Sequence, residues 1–167
     1  MIYASMFGAA TAVGAYLVIP LAPVPITLQT FFLNLASALL GGSLGALSQV
    51  IYLLLGILGL PVFAGGKAGL GVLLGPTGGY LIGFILSAFL VGKMIALRSN
   101  PGALWMGLAM IVGLLVIDFC GALQLSLVAK LSFKKALILG VLPFLPGDFL
   151  KIIAATLVAS KVREKMY

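Results

Sequence analysis

Charged side chains are absent from the first 66 residues of this chain, and the first to appear is Lys67. Of the 167 residues, 63% are hydrophobic and 8% are charged, whereas soluble domains have about 45–50% apolar and about 25% charged residues. A helix of about 20 apolar residues spans the hydrocarbon core of a bilayer. The sequence therefore predicts an all-α integral membrane protein in contact with the lipid bilayer.

Prolines, glycines and basic residues divide the apolar sequence into six predicted transmembrane helices within a single domain, residues 1–167. Pro20 ends the first helix, and the Ser-Asn-Pro-Gly cluster at 99–102 is a turn. A short segment over 134–146 contains two prolines and is predicted to lie at the membrane interface or to re-enter it. The six helices are predicted over residues 2–19, 28–40, 44–58, 78–97, 103–128 and 147–160.

An even number of helices places both ends of the chain on one side of the membrane. Lysines and arginines are nearly balanced between the two sides, with five on the terminal side and four on the other, so the positive-inside rule does not decide the orientation. The connector 21–27, the loop 59–84 and the segment 134–146 share the side opposite the termini. Ligand-contacting loops are expected there.

The segment 59–84 contains nine glycines, two prolines and one lysine, so it is not expected to form one uninterrupted helix. Irregular backbone at membrane depth persists where protein or a water-filled cavity satisfies its polar groups. The segment is therefore predicted to form a wall of a small-molecule pocket, and the alternative is a flexible connector. Gly65, Gly66, Lys67 and Tyr80 are its candidate binding residues, with the Tyr80 ring available to stack on a ligand.

Few polar side chains interrupt the predicted helices, and each is a candidate for ligand binding. Asp148 and Lys151 are three residues apart and share one face of the last helix, either as a ligand-recognition pair or as a mutually neutralising helix cap. Asp118 lies inside the fifth helix, where it faces a pocket, a proton path or a partner lysine. Thr27 and Gln29 offer uncharged hydrogen-bonding groups at the start of the second helix.

Several function classes are disfavoured by what the sequence lacks. It has no histidine and a single cysteine, Cys120, so no metal-ligand spacing, intrachain disulfide or common general base is available. Basic residues are too few for a nucleic-acid surface. No Walker motif is present, so any coupling to ATP must come from another chain. A membrane enzyme acting on a lipid or small amide is one alternative, and a solitary channel or facilitator is another.

Small residues crowd one part of the first predicted helix, where they allow close approach of another helix in lipid. They serve either as a docking face for a partner subunit or as an internal packing surface. The residues concerned are Gly8, Ala9, Ala10, Ala12, Val13 and Gly14.

Three motifs together closely resemble the BioY family, the biotin-binding substrate (S) components of energy-coupling factor (ECF) transporters in bacteria and archaea. These are VPITLQT at 24–30, GLPVFAGG and LGPTGGYLIGF within 59–84, and PFLPGDFLK at 143–151. They occur in the family's order, and the resemblance covers nearly the whole chain.

The resemblance implies a six-helix S component of the prokaryotic cell membrane that binds biotin on its outer side. It implies no catalysis, metal or cofactor, and it implies two kinds of partner, a transmembrane coupling subunit and two ATPase subunits. By this resemblance, Asp148 and Lys151 contact the ligand. Thr27, Gln29 and residues 65–67 shape the pocket, and residues 8–14 dock the coupling subunit. Asp118 departs from the family, which is expected to have an aromatic or apolar residue there. Another small vitamin as substrate and uptake without partners remain alternatives.

Overall fold

The computed structural model describes residues 1–166, with side chains through Lys165. Within this range the chain is predominantly helical, as predicted, with one short β-hairpin. The helices are α1 Ile2–Tyr16, α2 Gln29–Leu40, α3 Gly42–Ile57, α4 Leu70–Leu74, α5 Gly78–Ala96, α6 Ala103–Val128, α7 Phe133–Gly140 and α8 Leu145–Met166, and the strands are β1 Val18–Ile19 and β2 Ile26–Thr27.

The first helix ends earlier than predicted. Instead of continuing to residue 19, α1 stops at Tyr16, because Val18 and Ile19 leave the helix to pair antiparallel with Thr27 and Ile26. All four paired residues are β-branched, which suits extended backbone. The proline-containing connector is thus the turn of a β-hairpin, and its strands fix its position over the end of the bundle.

The break between α2 and α3 is a single residue, whereas the predicted helices over 28–40 and 44–58 left three residues between them. Gly41 has a φ of 81°, a left-handed conformation that a side chain disfavours, and α3 begins at the next residue. In the glycine-rich segment, Gly59, Gly65, Gly66 and Gly69 also have positive φ values. The segment contains the five-residue α4 and, from Gly78, the first turns of α5, which confirms that it is not one uninterrupted helix.

The end of the chain forms a bent pair of helices. The predicted interfacial segment contains α7, whose axis makes an angle of 58° with that of α8. α8 begins at Leu145 rather than 147, because Pro146 is tolerated in the first helical turn, where its missing N–H has no partner to lose. It also continues to Met166 through the basic tail, which was predicted to lie beyond a helix end at 160.

The helices form one bundle in which α2 is central, since it contacts α1, α3, α5 and α8. The most extensive contact is between the antiparallel α5 and α6. Glycines on α5 allow this close approach: a Cβ added to Gly83 would lie 3.0 Å from the Cα of Ile117.

By length and composition, α5 and α6 are each able to cross a membrane, and the α7–α8 pair is a third span if it is counted as one. α2 and α3 are apolar but shorter. Large apolar side chains on the outer surface of α6, among them Leu115 and Phe119, are exposed, as expected of a helix that faces lipid.

We expect Gly79→Ala to destabilise the bundle by about 1–3 kcal/mol, because overpacking forces backbone shifts. The new Cβ would lie 2.7 Å from the Gln124 Cβ and closer still to the Cys120 carbonyl oxygen. Thermal unfolding in detergent measures the change. Gly107→Ala on α6 is the matched control, because its Cβ meets nothing nearer than the Thr156 hydroxyl at 3.7 Å. Equal melting temperatures for the two variants would contradict this account of the α5–α6 contact.

Candidate ligand-binding site

A cavity of about 380 Å³ lies at the end of the bundle where α2, α5 and α8 begin. Its wall combines these helix starts with the β-hairpin, part of the glycine-rich segment and the middle of α6. Small-molecule sites in proteins typically have volumes of about 300–1,000 Å³. The connector 21–27, the glycine-rich segment and the segment 134–146, predicted to share one side, all reach this cavity, the last of them through Phe144.

Apolar side chains make up most of the cavity wall. Aromatic rings come from the glycine-rich segment, α5 and the α7–α8 junction: Phe63, Tyr80, Phe84 and Phe144. Phe63 is buried and packs edge-on against Tyr52, with ring centroids 5.7 Å apart. A largely apolar wall with a few polar groups is typical of sites that bury most of a small ligand.

Asp148 and Lys151 form an ion pair in the first two turns of α8. The Lys151 Nζ lies 2.5 Å from the Asp148 Oδ1, and the Lys151 and Asp148 side chains are only 12% and 9% exposed. Lys151 also donates a hydrogen bond of 3.0 Å to the Thr27 carbonyl oxygen. The pair therefore neutralises itself, as one interpretation of the sequence has it, and also ties β2 to α8.

Thr27 and Gln29 continue this polar network towards α3. The Thr27 hydroxyl donates to the Gln29 Oε1 at 2.7 Å, and the Gln29 Nε2 donates to the Tyr52 hydroxyl. Gln29 is buried, and both Thr27 and Gln29 line the cavity. Their side chains hold the hairpin and the start of α2 in a fixed relation to Lys151.

The glycine-rich segment contributes three of its four predicted residues to the cavity, one of them Tyr80. Gly65 and the exposed Lys67 line it, whereas Gly66 does not. Backbone hydrogen bonds give this loop a defined shape: the Phe63 N–H donates to the Lys67 carbonyl at 3.0 Å, and the Gly66 N–H donates to the Phe63 carbonyl at 2.9 Å. Gly66 therefore has a structural role in this turn, which requires a residue with a positive φ.

Tyr80 and Asp118 both line the cavity. The Tyr80 hydroxyl donates to the Gly140 carbonyl at 2.7 Å, so this end of the side chain is engaged in joining α5 to α7, and the ring is the part that lines the cavity. Asp118 is 7% exposed, and its Oδ2 has no hydrogen-bond partner among the described residues. It lines the same cavity as Asp148 and Lys151. Of the alternatives for Asp118, the structure places it at the pocket.

Sequence reasoning missed Thr30 and the aromatic residues Phe84 and Phe144. Thr30 lines the cavity beside Gln29, and its hydroxyl is buried with no hydrogen-bond partner in residues 1–166. Its place in the first turn of α2, directly after Gln29, was the available signal. The aromatic residues had no such signal, because an apolar wall and an apolar core use the same residue types.

The predicted docking residues on α1 divide into two groups. Gly8, Ala12 and Gly14 are buried inside the bundle, so the prediction that they form an outer docking face is wrong. A Cβ on Gly8 would lie 2.9 Å from the Ser48 carbonyl oxygen on α3. Ala9 and Val13 are exposed, and Ala10 is half-buried. The small residues let α1 pack tightly against α2 and α3, and only Ala9, Ala10 and Val13 are available to a partner.

Within residues 1–166, no three His, Cys, Asp or Glu side chains are grouped so that they could hold a metal ion. The polar groups of the cavity are two carboxylates, one largely buried lysine, one exposed lysine and hydroxyl and amide groups. Their chemistry is that of hydrogen bonding and charge pairing to a small organic molecule.

Fold and cavity together define a helical membrane protein with a small-molecule site at one end of its bundle. The chain belongs to the BioY family, whose sequence profile matches residues 1–167. The biotin transporter BioY of Thermotoga maritima is 42% identical over 164 residues, which cover 98% of this chain and 95% of that protein. The probable biotin transporter BioY of Pyrococcus horikoshii is 42% identical over 163 residues, covering 95% and 93%.

A solved structure has the same fold. The crystal structure of the S-component for biotin from an ECF-type ABC transporter matches this one with a TM-score of 0.90 at 32% identity. The match covers 98% of this chain and 89% of that chain. The relatives are transporters or transporter components, so the family is one of transport proteins and not of enzymes.

Proposed function

We propose that this chain is the biotin-binding S component of an ECF-type vitamin uptake system. The observation that carries the proposal is the cavity, in which the Asp148–Lys151 pair, 2.5 Å apart, lies within a largely apolar wall. Relatives that are 42% identical over nearly the whole chain are named biotin transporters, which supports biotin rather than another small vitamin as the ligand.

Biotin matches the chemistry of this wall. Its ureido ring offers two N–H donors and a carbonyl acceptor, its thioether ring and alkyl chain are apolar, and its carboxylate is anionic. Asp148 supplies an acceptor and Lys151 a cation, and charge-assisted hydrogen bonds of both kinds are stronger than neutral ones. The aromatic side chains bury the apolar part of the ligand.

We assign the whole chain, residues 1–167, to one domain with six membrane segments, formed by α1, α2, α3, α5, α6 and the bent pair α7–α8. Their alternation puts the cavity on one face and both chain ends on the other. The cavity then opens to the outside of a prokaryotic cell. The five basic residues at the opposite face lie in the cytoplasm: Lys93, Arg98, Lys161, Arg163 and Lys165.

Energy for uptake comes from partner chains in this proposal, because the sequence has no nucleotide-binding motif. The partners are a transmembrane coupling subunit and two ATPase subunits. The exposed part of α1 around Ala9 and Val13 is the candidate contact with the coupling subunit. Transport without partners is the alternative, and it is distinguished by uptake in cells that lack the coupling subunit.

The proposal is tested with purified protein in detergent. We expect saturable binding of biotin with one site per chain in isothermal titration calorimetry, and no binding of riboflavin or thiamine under the same conditions. A single symmetric peak in size-exclusion chromatography establishes that the protein is folded. Absence of saturable biotin binding by such protein would refute the proposal. Saturable binding of another vitamin would identify that vitamin as the substrate instead.

A further inference from the structure

Asp118 is the one acid in the middle of the long apolar helix α6. Its side chain is 7% exposed, it lines the cavity, and its Oδ2 is buried with no hydrogen-bond partner in the part of the chain that the structure describes. Burying a polar group without a partner costs free energy, and acidic residues inside membrane segments are rare for this reason. Packing therefore does not account for Asp118, whereas an N–H donor on a ligand would.

The charges around the cavity leave Asp118 uncompensated. The charged wall groups with little exposure are two buried acids, Asp118 and Asp148, and one lysine, Lys151, whose side chain is 12% exposed. Lys151 is already engaged by Asp148 at 2.5 Å and by the Thr27 carbonyl at 3.0 Å. Two negative groups against one positive group leave one acceptor in excess. Lys67 is exposed, and water and salt screen its charge.

An uncompensated carboxyl beside a cavity favours ligands rich in N–H donors, and most of all cationic ones. A planar guanidinium donates two parallel N–H bonds to one carboxylate and also supplies a positive charge. A cyclic urea has the same planar shape without the charge, and because its two ring N–H bonds diverge it donates only one of them to a given carboxylate. Asp148 can accept the other ring N–H, but its charge is already shared with Lys151, so the excess negative charge lies on Asp118.

We propose that Asp118 is a specificity-determining residue that accepts one N–H of the ligand's ring and lets the cavity accept a cyclic guanidinium in place of a cyclic urea. This inference rests on the proposed function. It extends the substrate class from biotin to cationic biotin analogues. The probe is 2-iminobiotin, in which an imino group replaces the ureido oxygen, so that its ring carries a positive charge at neutral pH.

The experiment compares the dissociation constants of biotin and 2-iminobiotin at pH 7.5 for wild-type protein, Asp118→Asn and Asp118→Leu. We expect wild-type protein to bind both ligands. In Asp118→Asn, the affinity for 2-iminobiotin should fall at least roughly tenfold more than the affinity for biotin, because the amide keeps the shape of the side chain but not its charge. Asp118→Leu should show the same selective loss.

Ser87→Ala is the matched control, because the Ser87 hydroxyl is also buried and without a partner in the described chain, yet it does not line the cavity. It should leave both dissociation constants unchanged. Equal losses for the two ligands in the Asp118 variants, or no binding of 2-iminobiotin to wild-type protein, would overturn the assignment of Asp118 while biotin binding stands. Failure of wild-type protein to bind biotin would instead overturn the proposed function, and this inference with it.

Discussion

Lys151→Ala is expected to weaken biotin binding at least roughly tenfold, a loss of about 1.4 kcal/mol or more. The substitution leaves Asp148 buried without its partner and frees the Thr27 carbonyl that Lys151 now holds at 3.0 Å. An unpaired buried polar group costs about 1–3 kcal/mol, and more when it is charged. Asp148→Asn removes the other member of the pair and should weaken binding by a similar factor. Calorimetric titration with biotin measures both.

The fold should survive these changes, because the pair borders a cavity where water can reach the remaining group. Lys161→Ala is the control on the same helix, since Lys161 is exposed and lies at the opposite end of α8 from the cavity. Its affinity for biotin should equal that of the wild-type protein. Wild-type affinity in both Asp148→Asn and Lys151→Ala would refute the assignment of the pair to the ligand site.

Ala9→Trp is expected to abolish ATP-driven uptake and co-purification with the coupling subunit while biotin binding is retained. Ala9 is exposed on α1, so a large ring there points away from the bundle and holds a facing helix at a distance. Ala10→Trp should act in the same direction, but Ala10 is half-buried and its variant also strains the bundle. Gly8→Trp should instead damage the fold, since Gly8 faces the Ser48 carbonyl inside the protein.

Transport of radiolabelled biotin in cells and affinity purification from membranes measure the two losses. Leu115→Trp is the control: Leu115 is exposed on α6, a helix that packs against α5, α7 and α8 rather than α1. It should leave both uptake and co-purification intact. Normal uptake by Ala9→Trp would place the docking surface elsewhere.

Much of the site could be predicted from local sequence. Asp148 and Lys151 are three residues apart, and helical geometry alone puts them on one face, as the 2.5 Å contact confirms. The glycines and prolines of 59–84 exclude a continuous helix because of their backbone conformations. The lack of charged residues before Lys67 indicates that this part of the chain lies in a membrane. These properties depend on residues close together in the chain, so the sequence determined them by itself.

Only the tertiary structure decided what Asp118 and the small residues of α1 face. α6 is apolar on all sides, so no periodicity indicates which of its faces turns inward, and Asp118 joins the cavity because α5 packs closely against that face. Small residues likewise occur on several sides of α1, so the sequence does not show which of them face inward. Packing against α2 and α3 buries Gly8, Ala12 and Gly14 but leaves Ala9 exposed. In lipid, both the protein interior and the protein's surroundings are apolar, so the hydrophobic pattern of a helix does not show which face is buried, as it does in water. Contacts between helices distant in the sequence decide which face is buried.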